Sequence, residues 1–223
     1  MRGRDTCVVI PVYNEAPVLK DVLTGVQRQF RLVVCVDDGS SDGSASIIEQ
    51  SGAVLVRHPV NLGQGGALQT GVTYGLLDPD VRYFVTYDAD GQHQLADVVR
   101  MLSRLQRDDL NVVFGSRFLD DRTSVTGVRR LVLKLAVRYT RATTGVRLSD
   151  AHNGLRVFDR SVAEALDLRQ AGMAHASEFV TMVGRYRFRY AEEPVHILYT
   201  DYSRSKGQHL LNSVNILFDL LFR

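Results

Sequence analysis

The chain has 223 residues, 45% of them hydrophobic and 23% charged, with a formal net charge of +2, two cysteines and no tryptophan. A chain of this size buries about 70% of its unfolded surface, enough for one self-supporting core, so a disulfide-stapled scaffold is excluded. Ordinary apolar content and a near-neutral balance exclude a disordered chain and argue against wholesale nucleic-acid binding.

Short β-branched runs alternate with amphipathic segments through the first half. Cys7 to Val12 reads as a strand, and Ala16 to Gln29 as a helix whose Val18, Leu19, Val22, Leu23 and Val26 share one face. A second strand, Leu32 to Val36, leads into the turn-rich DDGSSDGS and a short helix beginning near Ser44. Ala53 to Val56 is a third strand, and Gln64 to Leu77 a Gly- and Ala-rich helix. Tyr83 to Tyr87, Leu95 to Gln106 and Val112 to Phe114 continue the series as strand, helix and strand. Such alternation predicts an α/β fold: right-handed crossovers and a mostly parallel sheet flanked by helices on both faces. Cys7 and Cys35 fall inside apolar runs and read as small core residues, and no Cys/His spacing offers a zinc site. No secretory-leader pattern precedes the first strand, and no apolar run reaches the roughly 18–20 residues of a membrane span. The expectation is a cytoplasmic chain.

In open parallel sheets ligands sit beyond the carboxyl ends of the strands. Those ends here carry Tyr13-Asn14-Glu15, Asp37-Asp38-Gly39-Ser40, Asp88-Ala89-Asp90 and Gly115-Ser116-Arg117. Helix capping accounts for residues such as Asp42 or Ser44. It does not explain two acidic doublets, because neighbouring carboxylates repel unless a cation or a hydrogen-bonding ligand compensates. In a strand-like extension Asp88 and Asp90 point the same way and approach one centre. Hard oxygen ligands suit Mg²⁺ or Mn²⁺, and Gln92 and His93 lie close enough to complete or tune the shell. Gly63-Gln64-Gly65-Gly66-Ala67 approximates a dinucleotide fingerprint, but Leu68 stands where the third glycine belongs, and the segment follows the third strand. Its glycines read instead as sites of close backbone approach.

Together VVIPVYNE, VVCVDDGSSDGS, NLGQGGALQTG, DADGQH, GSR and the later DAHNGLRVF resemble, in order, the blocks of family 2 glycosyltransferases with the Rossmann-like GT-A fold. Within that family the chain is similar to the dolichol-phosphate mannose synthase-like branch, which moves a sugar onto a polyprenyl phosphate. The likeness runs from Val8 to about Lys206. It implies that Pro11, Tyr13, Asn14 and Glu15 line a nucleotide-sugar donor and that Asp38 holds base or ribose. It further implies that Asp88 lies near ribose and diphosphate, that Asp90 and Gln92 ligate Mg²⁺ or Mn²⁺, and that Arg117 and Arg204 face phosphates. Arginine's planar fork suits that task.

The later sequence changes character. In GVRRLVLKLAVRYTR, residues 127–141, the cations Arg130, Lys134, Arg138 and Arg141 form one stripe on a helix beside a wide apolar face. That is the pattern of a helix lying among lipid headgroups, or of a core helix with a solvated face. Arg129 and Arg130 are candidates for an acceptor phosphate. Between His209 and Phe222 the polar residues Asn212, Asn215 and Asp219 form a narrow stripe among leucines and phenylalanines. This amphipathic segment suits docking on the domain, pairing with a second copy, or lying on a bilayer. The expected organisation is one domain over 1–208 with a C-terminal helix over 209–223. Within the domain, 1–118 forms a nucleotide-sugar half and 119–208 an acceptor- and membrane-facing half.

The resulting expectation is an inverting, metal-dependent hexose transfer from a GDP-mannose- or UDP-glucose-type donor to a polyprenyl phosphate, by a protein held peripherally at the cytoplasmic membrane face. Asp88, Asp90, Arg117 and Asp150 form the expected reaction centre. A phosphate acceptor is already ionised near neutral pH, whereas a sugar hydroxyl needs a base, for which Asp150 or Glu178 are the candidates. Transfer to a soluble or polysaccharide hydroxyl is therefore the second reading, and a catalytically silent membrane scaffold the third. No role falls to His152 or His175. A sugar-nucleotide pyrophosphorylase is set aside, because PVYNEAP stands where its Gly-rich, Arg-containing loop belongs.

Overall fold

In the computed structural model of the protein, the described residues are 3–119, 144–151, 153–170 and 174–198. Seven strands run in chain order as β1 (Thr6–Val12), β2 (Leu32–Asp37), β3 (Val54–Arg57), β4 (Tyr83–Thr86), β5 (Val112–Ser116), β6 (Arg156–Asp159) and β7 (Tyr190–Pro194). The helices among the described residues are α1 (Ala16–Gln27), α2 (Ser44–Ser51), α3 (Gln64–Gly75), α4 (Leu95–Arg107), α5 (Arg160–Ala165) and α6 (Ala174–Arg185).

The strands form one sheet of order β3-β2-β1-β4-β6-β5-β7. All pairings are parallel except those of β6, which lies antiparallel between β4 and β5. The mostly parallel sheet expected from the alternation is present, and a strand from the later half of the sequence is inserted into it.

Alternation along each strand sorts side chains into two cores, because successive residues point to opposite faces. Val8, Ile10 and Val12 pack with Leu19, Leu23 and Val26 of α1, Ile48 of α2 and Met101 of α4. Cys7 and Val9 pack on the other face with Ala67 and Val72 of α3 and Phe179 and Val183 of α6. Burial on both faces is why these strands read as continuous apolar runs. Both cysteines are buried and unpaired, as expected of small core residues.

Helix α3 lies hard against β1 because its inner face is glycine. A Cβ at Gly71 would run into Val9, and one at Gly75 would sit 2.8 Å from the Cys7 sulfur. Of the 63–67 glycines for which close backbone approach is expected, Gly65 meets it: a Cβ there would strike the Gln170 carbonyl oxygen. Helix α1 starts at its predicted place for a tertiary reason: Ser44 Oγ accepts from the Glu15 N–H at 3.0 Å, and Asp42 from the Ala16 N–H at 2.9 Å. The DDGSSDGS turn thus supplies the first-turn acceptors of a distant helix. Burial raises the Asp42 carboxyl, but hydrogen bonds from the Ser44 hydroxyl and from the Ala16 and Ser44 N–H groups overcome it and hold it below its ordinary value.

Candidate active site

The carboxyl ends of β1, β2 and β4 open onto a cleft of about 670 Å³. Of the residues singled out from the sequence, Pro11, Tyr13, Glu15, Asp38, Asp88 and Asp90 line it. Asn61, Leu62, Gly63, Gln64 and Ala67 complete one wall. In the sequence these belong to the NLGQGGALQTG block, whose glycines read as sites of close approach and to which no place in the cleft is assigned.

Three of the expected residues work through backbone. Asn14 sits in the left-handed region at φ 55, tolerable for a short polar side chain. Its N–H donates to Ser40 Oγ at 3.0 Å, and its side-chain oxygen accepts from the Ser41 N–H at 2.9 Å. Asp38 is buried and accepts from the Leu62 and Gly63 N–H groups, each at 2.8 Å, and meets His58 Nδ1 at 2.7 Å. It thereby shapes the 61–63 wall. The buried Gln92 donates its N–H to Asp90 at 3.0 Å.

The two acids converge, though not as extended chain. Strand β4 ends at Thr86, and the chain turns at 89–91, with Gly91 at φ 74. Closure by the Gln92 N–H on the Asp90 carboxylate ends the extension early, which corrects the expectation of a strand-like Asp88–Asp90 pair. Asp88 is held from several sides. Gln64 Nε2 donates to it at 3.0 Å, and His93 Nε2 at 2.9 Å. Gly154 packs so close that a Cβ there would strike the carboxylate.

Burial raises the Asp88 carboxyl, but the hydrogen bond and charge of His93, with the charges of His175 and Arg156, overcome it and leave it below its ordinary value. Asp90 behaves oppositely. Burial, then the charge of Asp88, push it up to about 6, against the opposing Gln92 N–H. One ionised acid forcing its neighbour toward protonation is the signature of a pair that a cation relieves. Among the described residues no three or more His, Cys, Asp or Glu side chains stand together as a ready-made cage. Two carboxylates still fit Mg²⁺ or Mn²⁺, which keep waters and take phosphate oxygens as their remaining ligands.

Arg117 follows β5, which extends through Gly115 and Ser116 rather than stopping at Phe114, because these residues pair with Glu193 and Pro194 of β7. Its Nε and Nη2 meet the two oxygens of buried Asp150 at 2.6 and 2.8 Å, and its N–H reaches the same carboxylate at 3.2 Å. Sequence reasoning had named both residues without pairing them. It does not name Arg156, the largest fully buried side chain among the described residues. The Arg156 guanidinium lies 4.7 Å over the Phe179 ring, and its Nε and Nη2 have no hydrogen-bond partner among the described residues. Burial lowers it to about 10 while Asp88 and Asp150 oppose the fall, so it remains a cation near neutral pH. Arg156 stands within the DAHNGLRVF block, but the resemblance assigns it no role. Glu178 accepts from the Arg169 and Gln170 N–H groups at 3.0 and 3.1 Å and so caps a turn. Arg129, Arg130, Arg204, His152 and the segments 127–141 and 209–223 lie outside the described residues.

An acidic pair at the carboxyl edge of such a sheet suits a phosphorylated ligand held through a hard cation, an arrangement that α/β enzymes use for nucleotides. The whole chain narrows this further. Residues 7–167 match Glycosyl transferase family 2, and the chain belongs to that family as a glycosyltransferase. It is 27% identical to the UDP-N-acetylglucosamine--dolichyl-phosphate N-acetylglucosaminyltransferase of Methanococcus voltae, over 96% of this chain and 94% of that one. It is 33% identical to the polyprenol monophosphomannose synthase of Mycolicibacterium smegmatis, over 73% of this chain and 64% of that one. Among solved structures, glucosyl-3-phosphoglycerate synthase from Mycobacterium tuberculosis, in complex with Mn²⁺, UDP and glucosyl-3-phosphoglycerate, superposes with a TM-score of 0.67 at 17% identity. That match covers 98% of this chain and 79% of that one. At that identity the likeness is one of fold.

Proposed function

We propose that this glycosyltransferase moves a hexose from a nucleotide-diphosphate sugar to a polyprenyl phosphate, in a single inverting displacement at the cytoplasmic membrane face. The observation that carries the reading is the Asp88–Asp90 pair in the cleft, with Asp90 raised to about 6 by burial and by its neighbour. In this reading Pro11, Tyr13 and Glu15 line the donor directly, while Asn14 and Asp38 act through the turns they fix. Asp88 lies by the ribose and diphosphate, and Asp90, with Gln92 beside it, is the position for Mg²⁺ or Mn²⁺. A bound divalent ion would neutralise charge developing on the leaving diphosphate. Arg117 and Arg204 would face phosphates, with Arg129 and Arg130 toward the acceptor. The basic stripe of 127–141 and the apolar tail of 209–223 are the segments this reading assigns to the membrane surface or to a second copy.

The acceptor class has its own support. Both oxygens of Asp150 are engaged by Arg117, and Glu178 is engaged as a cap. Asp150, paired through both oxygens with a cation, is thereby a weakened base for a sugar hydroxyl. A phosphate acceptor needs no such base, and of the relatives above one is named for transfer to dolichyl phosphate and another for synthesis of polyprenol monophosphomannose.

Mass spectrometry of products tests the proposal, with GDP-mannose, UDP-glucose, UDP-galactose and UDP-N-acetylglucosamine as donors, Mg²⁺ or Mn²⁺, and a short polyprenyl phosphate. One donor should yield a glycosylated lipid phosphate. A hydroxyl-linked product, with no lipid product from any donor, would replace this reading with the soluble-acceptor one.

A further inference from the structure

The sequence drew attention to the acids and arginines at the strand ends, but the side chain that ties the Arg117 region together is Glu192 on the edge strand β7. Its Oε1 accepts from the Ser149 N–H at 2.7 Å, the Ser149 hydroxyl at 2.8 Å and the Asp150 N–H at 3.1 Å. A carboxylate only accepts, so the direction of the chain beyond it is fixed. The Ser149 hydroxyl donates to Glu192, leaving its lone pair for the Ser116 hydroxyl at 2.6 Å. The Ser116 oxygen then accepts from the Phe118 N–H at 3.2 Å. Arg117 is thus bracketed on both sides: Asp150 binds its guanidinium and N–H, and the serine chain holds the next residue. Both branches converge on one oxygen of Glu192.

Strand β7 is itself anchored. Arg104 of α4 donates to the Glu192 carbonyl and to the Glu193 carboxylate, each at 2.9 Å. Tyr190, two residues before Glu192 and so on the same face, accepts from the Arg147 N–H through its hydroxyl at 2.9 Å. One face of an edge strand therefore carries the segment 147–150 as a fixed platform.

We infer that Glu192 is a positioning residue for the transfer reaction: it touches no substrate and acts by holding Asp150 and Ser116 so that Arg117 is aimed at a phosphate. The inference rests on the phosphate-binding reading of Arg117 given above.

A double-mutant cycle with a structural readout tests it. Hydrogen exchange of the Ser149 and Asp150 amides should accelerate in Glu192→Ala. Turnover should fall about 10²-fold, the scale of a small misplacement near a reaction centre, with nucleotide affinity in the cleft unchanged. Glu192→Gln, which keeps an oxygen acceptor, should restore most of the turnover. In an Arg117→Ala background, Glu192→Ala should cost little more, because residues acting as one unit are non-additive. Unchanged exchange, or a full multiplicative loss in the double variant, overturns the inference. If Glu192→Ala does not fold, Ser149→Ala, which removes only the hydroxyl link, is read in the same cycle by turnover: a loss that vanishes in the Arg117→Ala background supports the inference, and no loss or a fully multiplicative one overturns it. Should Arg117→Ala leave transfer intact, the phosphate reading of Arg117 fails, whereas the exchange result stands apart from it.

Discussion

The edge made by β1, β2 and β4 and the edge made by β5, β6 and β7 both carry buried carboxylates, yet they are built differently. On the first, each acid sits in a short contiguous block such as PVYNE, DDGSSDGS or DADGQH, and the hydrogen bonds that shape the cleft, the one from Gln64 to Asp88 excepted, come from turns inside those blocks or between segments that follow adjacent strands. On the second, the links join residues far apart in sequence. Arg117 meets Asp150 33 residues on, and Ser149 meets Glu192 43 residues on. Local turn chemistry leaves a readable pattern, whereas a long-range clamp of single residues leaves none.

The largest effect is expected at the readable edge. Asp90→Ala should lower transfer by about 10³-fold or more, the scale of losing a principal electrostatic stabiliser, with the melting temperature preserved. A small loss would mean that the acidic pair is structural. At the other edge, Arg156→Met should cost about 10²-fold in turnover, because Asp88 and Asp150 lose the cation between them. Its melting temperature should move by only a few degrees, since methionine also removes two unsatisfied N–H groups. Unfolding of this variant with activity proportional to the folded fraction would make Arg156 a purely structural residue.

The insertion of β6 explains why the pairings of the second edge stayed unread although Arg117 and Asp150 were named. Its four residues, RVFD, carry too short a period to separate strand from turn, and β7 contains YAEEP, whose two acids and proline argue against a strand. Edge position and anchoring by Arg100 and Arg104 of α4 override that propensity. The resemblance covered DAHNGLRVF as a motif but did not assign a place to Gly154, whose missing side chain makes room for Asp88. Gly154→Ala should therefore weaken nucleotide binding by about tenfold, an overpacking cost of roughly 1–3 kcal/mol at the junction of the two edges. Full affinity in that variant would uncouple the edges.

The smallest effect is on pH. The folded, metal-free protein holds a proton on Asp90 up to about pH 6, whereas an unfolded Asp releases it near pH 3.9. A raised folded pKa of this kind favours the fold at low pH, and the favour is lost as pH rises through about 6. A divalent cation replaces that proton. The rise in melting temperature caused by Mn²⁺ should thus be larger at about pH 7.5 than at about pH 5. Equal shifts would detach metal binding from Asp90.

The most direct test of the central claim, that the Asp88–Asp90 cleft is a metal-dependent nucleotide site, is calorimetric titration of UDP and GDP with and without Mn²⁺, in the native protein and in Asp90→Asn. Binding of one nucleotide that needs the cation, and that is lost in the isosteric variant, is the predicted result. Binding that is indifferent to both cation and variant would contradict it.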